Sequence, residues 1–172
     1  VLSPNNFPLP AIVKPTHGFK GRHIKVCDSI SEIIDHIKAT AKISKDIKEY
    51  QSIGYGFLVQ QYLDFSEEYR VNVINGKSIG CALKVSENKT KNADQGAVFA
   101  EKQNYEVVKI AETCARRQGL FFAGVDIAKY GDEYYVLECN RNPAFDHFDE
   151  ALNANTAGAL IESIYELIST NK

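Results

Sequence analysis

Residues 119–145 read GLFFAGVDIAKYGDEYYVLECNRNPAF. Residues 121–130 and 134–139 read as two strands around Gly131-Asp132, a hairpin signal. Side chains along a strand point to opposite faces in turn. Val125, Ile127, Tyr135, Leu137 and Cys139 are apolar, and Asp126, Glu138 and Asn140 alternate with them. The apolar sets match across the hairpin when Ile127 faces Leu137 and Val125 faces Cys139. That register sets Asp126 opposite Glu138, on one polar face with Asn140. It requires an odd-length loop, Gly131-Asp132-Glu133, because a two-residue Gly-Asp turn shifts the register by one and breaks the cluster. Asp, Glu and Asn oxygens converging on one sheet face are hard ligands of the kind magnesium prefers. Any one of these residues is most simply a polar side chain meeting water. All three at this spacing, followed by Arg141-Asn142-Pro143, favour a metal site.

The elements upstream extend the same pattern. A helix over 104–118 stops at Gly119. Residues 86–98, SENKTKNADQGAV, read as a solvated loop. Strands at 68–74 and 78–84 join at Asn75-Gly76, a strong turn signal. FLVQQ at 57–61 reads as a buried strand, and 44–56 as a loop. Ser29-Ile30-Ser31-Glu32 fits a capping box. Behind it Ile30, Ile33, Ile34, Ile37 and Ala41 recur at helical spacing, so a helix spans about 29–43. AIVK at 11–14 and residues 24–26 read as a hairpin across a glycine-containing loop, after a proline-rich start. Downstream, 156–169 reads as an amphipathic helix. Strands and helices mix without strict βαβ alternation, which argues for an α+β fold with largely antiparallel sheets.

Composition narrows the function. The chain has 172 residues, 44% hydrophobic and 24% charged, with a net charge of -2. Such a chain builds a real core and is not predominantly disordered. The near-neutral charge removes the simplest case for nucleic-acid binding. No apolar run approaches the roughly 18 residues that cross a bilayer. Cys27, Cys81, Cys114 and Cys139 are widely spaced, so they read as reduced thiols of a cytoplasmic protein rather than zinc ligands or a disulfide framework. The histidines are not usefully grouped, and His147 reads as a surface residue. The chain opens on Val1 and contains no methionine, which reads as a piece of a longer protein or a sequence numbered from a domain boundary.

Lys14 ends an apolar strand, with Gly18 and Gly21 following. Glycines let backbone N–H groups approach a phosphate, and a lysine adds a point charge. Alone this is weak: a strand-end lysine is usually a surface residue, and neither the P-loop nor the Rossmann fingerprint is present. In order, however, AIVKPTHGFKGRHI, FLVQQYL, EYRVNVINGKSIGCALK and the hairpin ending in E-x-N-x-x-P resemble the ATP-grasp superfamily. Within it, they are most similar to the branch of the alpha-L-glutamate ligases and glutathione synthetases. The resemblance runs from about Pro8 to Ile168.

It implies an ATP-grasp fold of two small lobes, about 8–62 and 63–172. Lys14 would contact ATP phosphates, with the Gly18–Gly21 loop closing over them. Gln60, Gln61, Tyr62 and Leu63 would line the adenine slot, and Glu68 would meet the ribose. Arg70 and Lys84 would face the transferring phosphate as the catalytic pair. Asp126, Glu138 and Asn140 would hold one or two magnesium ions, with manganese as a substitute. The implied activity is ligation of a carboxylate, from a small molecule or peptide, to an amine through an acyl phosphate. The resemblance also implies an N-terminal domain of the parent chain that helps shape the acceptor site, without which this chain is a poor catalyst. It leaves room for a homo-oligomer.

Two alternatives stay open. A small-molecule kinase on the same fold would need a basic pocket, to which Lys89 and Lys91 could contribute. A degenerate nucleotide-binding module is suggested by His23, Gln61 and Ala144, which depart from the family pattern. One geometric conflict also stands. A two-residue Asn75-Gly76 turn sets Glu68 and Lys84 on opposite faces, whereas their implied roles need them together, as a three-residue loop Asn75-Gly76-Lys77 would allow.

Overall fold

The computed structural model describes residues 7–16, 23–45, 56–85 and 98–170. Gly18, Gly21 and the polar segment 86–97 lie outside the described residues, as does most of the loop expected at 44–56. The chain divides into two compact units, Val1–Leu63 and Asp64–Lys172.

The first unit holds strands β1 (Ala11–Pro15), β2 (Lys25–Cys27) and β3 (Phe57–Gln61) with helix α1 (Ile30–Lys45). The strands form an antiparallel sheet in the order β2-β1-β3. Alternation along β1 turns Ala11 and Val13 inward, where they meet Cys27 and Ile33 in a small core flanked by Phe57 and Val59. The capping box forms with a one-residue offset. Glu32 N donates to Ser29 Oγ at 3.2 Å, while the Glu32 carboxylate accepts from Asp28 N rather than from the cap itself. Ile30, Ile33 and Ile37 pack on the core. Ile34, expected on the same stripe, is exposed, because it lies one residue around the helix from Ile33.

The second unit holds β4 (Glu67–Ile74), β5 (Lys77–Val85), β6 (Val98–Glu101), α2 (Tyr105–Arg117), β7 (Phe122–Tyr130), β8 (Glu133–Asn140), α3 (Asp146–Leu152) and α4 (Thr156–Thr170). Its antiparallel sheet runs β6-β5-β4-β7-β8. Val107, Ala111 and Ala115 of α2 pack on one face, against Tyr69, Val71, Val73, Cys81, Val125 and Ile127. Asn104 caps α2, its Oδ1 accepting from the N–H groups of Glu106 and Val107. The opposite face carries Glu68, Arg70, Asn72, Lys84 and Asp126.

In both hairpins a bulge, not the loop length, sets the register of the polar face. The β4–β5 turn is the two-residue Asn75-Gly76, with φ of 48° and 75° and Ile74 opposite Lys77. Positive φ at both positions is the requirement of a type I′ turn. Yet Asn72 faces Gly80 while Val73 faces Ser78, so Ile79 is an extra, bulged residue. The bulge changes the parity of the strand and brings Lys84 to the Glu68 face without a three-residue loop.

The β7–β8 turn is likewise two residues, with Tyr130 opposite Glu133, and not the odd-length loop expected. Ile127 faces Val136 rather than Leu137, and Leu137 is the extra residue. Beyond that bulge the register is as expected: Asp126 faces Glu138 and Val125 faces Cys139. The apolar side of β8 before the bulge is therefore Tyr134 and Val136, not Tyr135 and Leu137. Tyr134 packs edge-on against Tyr69 at 6.4 Å.

Three further differences concern elements. Val98, read as the end of a loop, begins strand β6, which pairs with the end of β5. Helix α3 was not expected; it buries Phe148 against Phe99. On α4 the apolar positions Ile161, Tyr165 and Ile168 are 68%, 74% and 58% exposed, and Thr156 is the buried residue of the helix. No helix among the described residues is long and apolar enough to cross a membrane.

Candidate active site

The face of the five-stranded sheet opposite α2 is laid out in rows across the strands. One row runs Ala82, Arg70, Asp126, Glu138; the next runs Gly80, Asn72, Gly124, Asn140. Glu68 lies one row further along, opposite Ala128, with Lys84 beside it. The side chains of the middle rows are mostly out of water, with Glu68 and Asp126 each 4% and Lys84 8% exposed.

The charges close into one network. Lys84 Nζ donates to Glu68 Oε1 at 2.6 Å and to Asp126 Oδ2 at 2.7 Å. Arg70 grips the same carboxylate in two places: its Nη2 donates to Oδ2 at 3.0 Å and its Nε to Oδ1. The fork of an arginine matches a carboxylate in this way. Burial pushes the Asp126 carboxyl up, but Lys84 and Arg70 outweigh it and hold the group below its ordinary range. Burial also acts against the Arg70 guanidinium, and Asp126 more than offsets it. Two positive and two negative side chains thus share a nearly dry space, where an unpaired charge would be costly.

The expected metal ligands divide. Glu138 lies directly across from Asp126, but it is exposed and accepts a hydrogen bond from Asn140 Nδ2. Asp126 has both oxygens engaged by Arg70 and Lys84. Among the described residues no group of three or more His, Cys, Asp or Glu side chains is placed to hold a metal ion; Asn140 lies one row on from Asp126 and Glu138, opposite Gly124. Cys139 points away from this face and packs against the core beside Cys114. Burial, with Cys114 adding to it, pushes its thiol up to about 11.

In the first unit Lys14 lies on β1 opposite Leu58, and Gln60 and Gln61 lie on β3 opposite Ile12 and Ala11. Tyr62 N donates to Pro10 O at 2.8 Å, which holds the exit of β3 to the start of β1. Gln60 and Gln61 are exposed, and Tyr62 and Leu63 are half-buried.

Sequence reasoning passed over Asn72. It is fully buried, and neither its Oδ1 nor its Nδ2 has a hydrogen-bond partner among the described residues. It stands between two bare positions, Gly80 and Gly124, in line with Asn140. Pro143 closes over Gly124, where an added Cβ would come 2.5 Å from the Pro143 Cβ. The signal was present: an asparagine alternating with Val71 and Val73 shares the face of Arg70 and Glu68.

An ATP-grasp domain is what this fold defines, and the chain belongs to the RimK-like ATP-grasp domain family, whose model matches residues 2–164. A probable alpha-L-glutamate ligase of Legionella pneumophila (strain Corby) is 27% identical over 160 residues, which cover 90% of this chain and 50% of that protein. The chain thus spans about half the length of the curated relatives it matches. Among solved structures, D-alanine–D-alanine ligase from Bacillus anthracis, complexed with ATP, superposes with a TM-score of 0.64 at 17% identity, covering 92% of this chain and 52% of that one. The ATP-grasp ligase PsnB, complexed with a phosphomimetic variant of its minimal precursor, magnesium and ADP, gives 0.61 at 23% identity, covering 94% and 46%.

Proposed function

We propose that the protein is a magnesium- and ATP-dependent carboxylate–amine ligase working through an acyl phosphate. The observation that carries this reading is the buried Glu68–Arg70–Lys84–Asp126 network, in register with Glu138 and Asn140, within a RimK-like ATP-grasp domain. Lys14 and the Gly18–Gly21 segment bind the phosphates, Gln60 to Leu63 the adenine, and Glu68 the ribose. Arg70 and Lys84 face the γ-phosphate. The oxygen chemistry of Asp126, Glu138 and Asn140 suits magnesium, and manganese can replace it. Bound there, the ion would neutralise phosphate charge.

In the first step a substrate carboxylate oxygen bonds to the γ-phosphorus, and the bond from that phosphorus to the ADP oxygen breaks. In the second the amine nitrogen bonds to the acyl carbon, phosphate leaves, and the nitrogen loses a proton. Phosphoryl transfer asks the protein for position and charge rather than covalent chemistry. Arg70 and Lys84 supply the charge and hold it in a nearly dry site, where it acts more strongly than in water. Catalysis draws on the rest of the parent protein. The printed name of the Legionella relative makes L-glutamate the first amine to test.

The direct test is a thermal shift with Mg-ATP against ATP plus chelator, on the wild type and on Glu138→Gln, followed by product analysis of the full-length protein. A metal-dependent rise lost in Glu138→Gln, and an amide product with ADP and phosphate, support the ligase. A phosphorylated alcohol as product would make it a kinase, and ATP binding without turnover a nucleotide-binding module.

A further inference from the structure

Both oxygens of Asp126 accept hydrogen bonds. Oδ2 accepts from Lys84 at 2.7 Å and from Arg70 at 3.0 Å, while Oδ1 accepts from Arg70 Nε. Lys84 bridges onward to Glu68 at 2.6 Å. Among the described residues, the hydrogen-bonded cluster holds two cations and two anions, with Glu138 across from Asp126 at its edge. Placing a bare divalent cation on Asp126 would require it to displace an arginine fork and a buried ammonium. It would then sit beside both, with little water to screen the repulsion. A polyphosphate changes that balance, because it brings the negative charge that Arg70 and Lys84 can turn to when they leave the carboxylate.

We propose that Arg70 and Lys84 occupy the metal's place on Asp126 until a nucleotide arrives, so that the site refuses free metal and admits it only together with the polyphosphate. The inference rests on the reading of Asp126 as a metal ligand. Arg70 and Lys84 then have two successive duties. They guard the carboxylate before binding and neutralise phosphate after it. Glu68 is the other anchor of this exchange: it keeps a carboxylate on the Lys84 ammonium when Asp126 is given up, so that the lysine is never left unpaired.

Equilibrium dialysis of the full-length protein against manganese, with and without ADP equal on both sides, tests this without any turnover. The wild type is expected to take up metal at least tenfold more tightly with ADP than without, and Asp126→Asn to lose the ADP-dependent portion. Lys84→Met removes one of the two cations that hold Asp126. It is expected to bind manganese without nucleotide at least tenfold more tightly than the wild type, and Lys84→Met with Asp126→Asn to lose that gain. Equal uptake by the wild type with and without ADP, in a form that Asp126→Asn abolishes, overturns the place-holding role while leaving the metal site standing. Uptake that Asp126→Asn never affects overturns the metal site and the inference with it. A folded Lys84→Met protein with no gain also overturns the inference, and the wild-type comparison decides if that variant does not fold.

Discussion

Asp126 is the residue on which the second unit's polar face depends. Its carboxylate ends three hydrogen bonds from two cations on two other strands. Removing one partner of such a buried pair leaves the others uncompensated, at a cost of about 3 kcal/mol or more. Asp126→Asn should therefore lower the free energy of unfolding in urea by about 3 kcal/mol, and an unchanged midpoint would contradict the network. Glu67 is also held low, chiefly by its hydrogen bond from Lys102 and then by that from Tyr69. Both carboxyls have folded values below their unfolded ones. Their contributions are complete above the unfolded values, near pH 4, and fade as pH falls through the lower folded values. Stability should thus be flat above about pH 5 and fall steeply below 4, with Glu67→Gln softening the fall. Asn72 works the other way. Its amide is buried with no partner among the described residues, which costs about 1–3 kcal/mol. Asn72→Leu should raise the melting temperature. If it also impairs the proposed ligation, the buried amide serves that reaction; if activity is unchanged, it does not.

At the scale of elements, each hairpin pairs a two-residue turn with a bulge in its second strand. Asn75-Gly76 was legible as a turn because its chemistry is local. The bulges at Ile79 and Leu137 were not, because a bulge is chosen by what the neighbouring strands require of each face. That is why the odd-length loop expected at Gly131-Asp132-Glu133 does not form, and why the two-residue Asn75-Gly76 turn does not part Glu68 from Lys84, while Asp126 still faces Glu138. Helix α2 was legible with its glycine stop, a short-range signal, and its cap is Asn104. Helix α3 is seven residues long, and a helix that short owes its existence to Phe148 docking rather than to its own propensity. Gly124 belongs to this scale, because it lets the segment after β8 close down. Its missing Cβ is filled by Pro143, and an added methyl would come 2.5 Å from the proline Cβ and 3.2 Å from Asn72 Oδ1. Gly124→Ala should cost about 1–3 kcal/mol and weaken metal-dependent nucleotide binding by displacing the chain beyond Asn140. A shift in the urea midpoint together with a reduced Mg-ATP thermal shift is the expected pair of readings.

For the whole molecule, the described residues of the two units differ in the size of the core they build. The first buries Ala11, Val13, Cys27 and Ile33, whereas the second buries Tyr69, three valines of β4 and β7, Ile127 and the small residues of α2. Apolar burial is the main source of local stability. Native-state hydrogen exchange should therefore find β4 and β7 exchanging near the global limit and β1–β3 exchanging by a lower-energy opening, and equal protection in both would refute this ordering. The sequence by itself determined the α+β class, most of the elements and the residues that share the polar face, because caps, turns and strand alternation act over a few residues. It also carried the resemblance to ATP-grasp proteins through motifs spread along most of the chain. Only the tertiary structure decided the bulged registers, the exposure of Ile34 and of the apolar positions on α4, and the burial of Asn72. It alone revealed that Asp126, in register with Glu138, is held by Arg70 and Lys84. Those outcomes depend on strands distant in sequence meeting in one sheet. There a carboxylate short of water takes the nearest cations, and which cations are nearest is settled by the packing of the whole sheet.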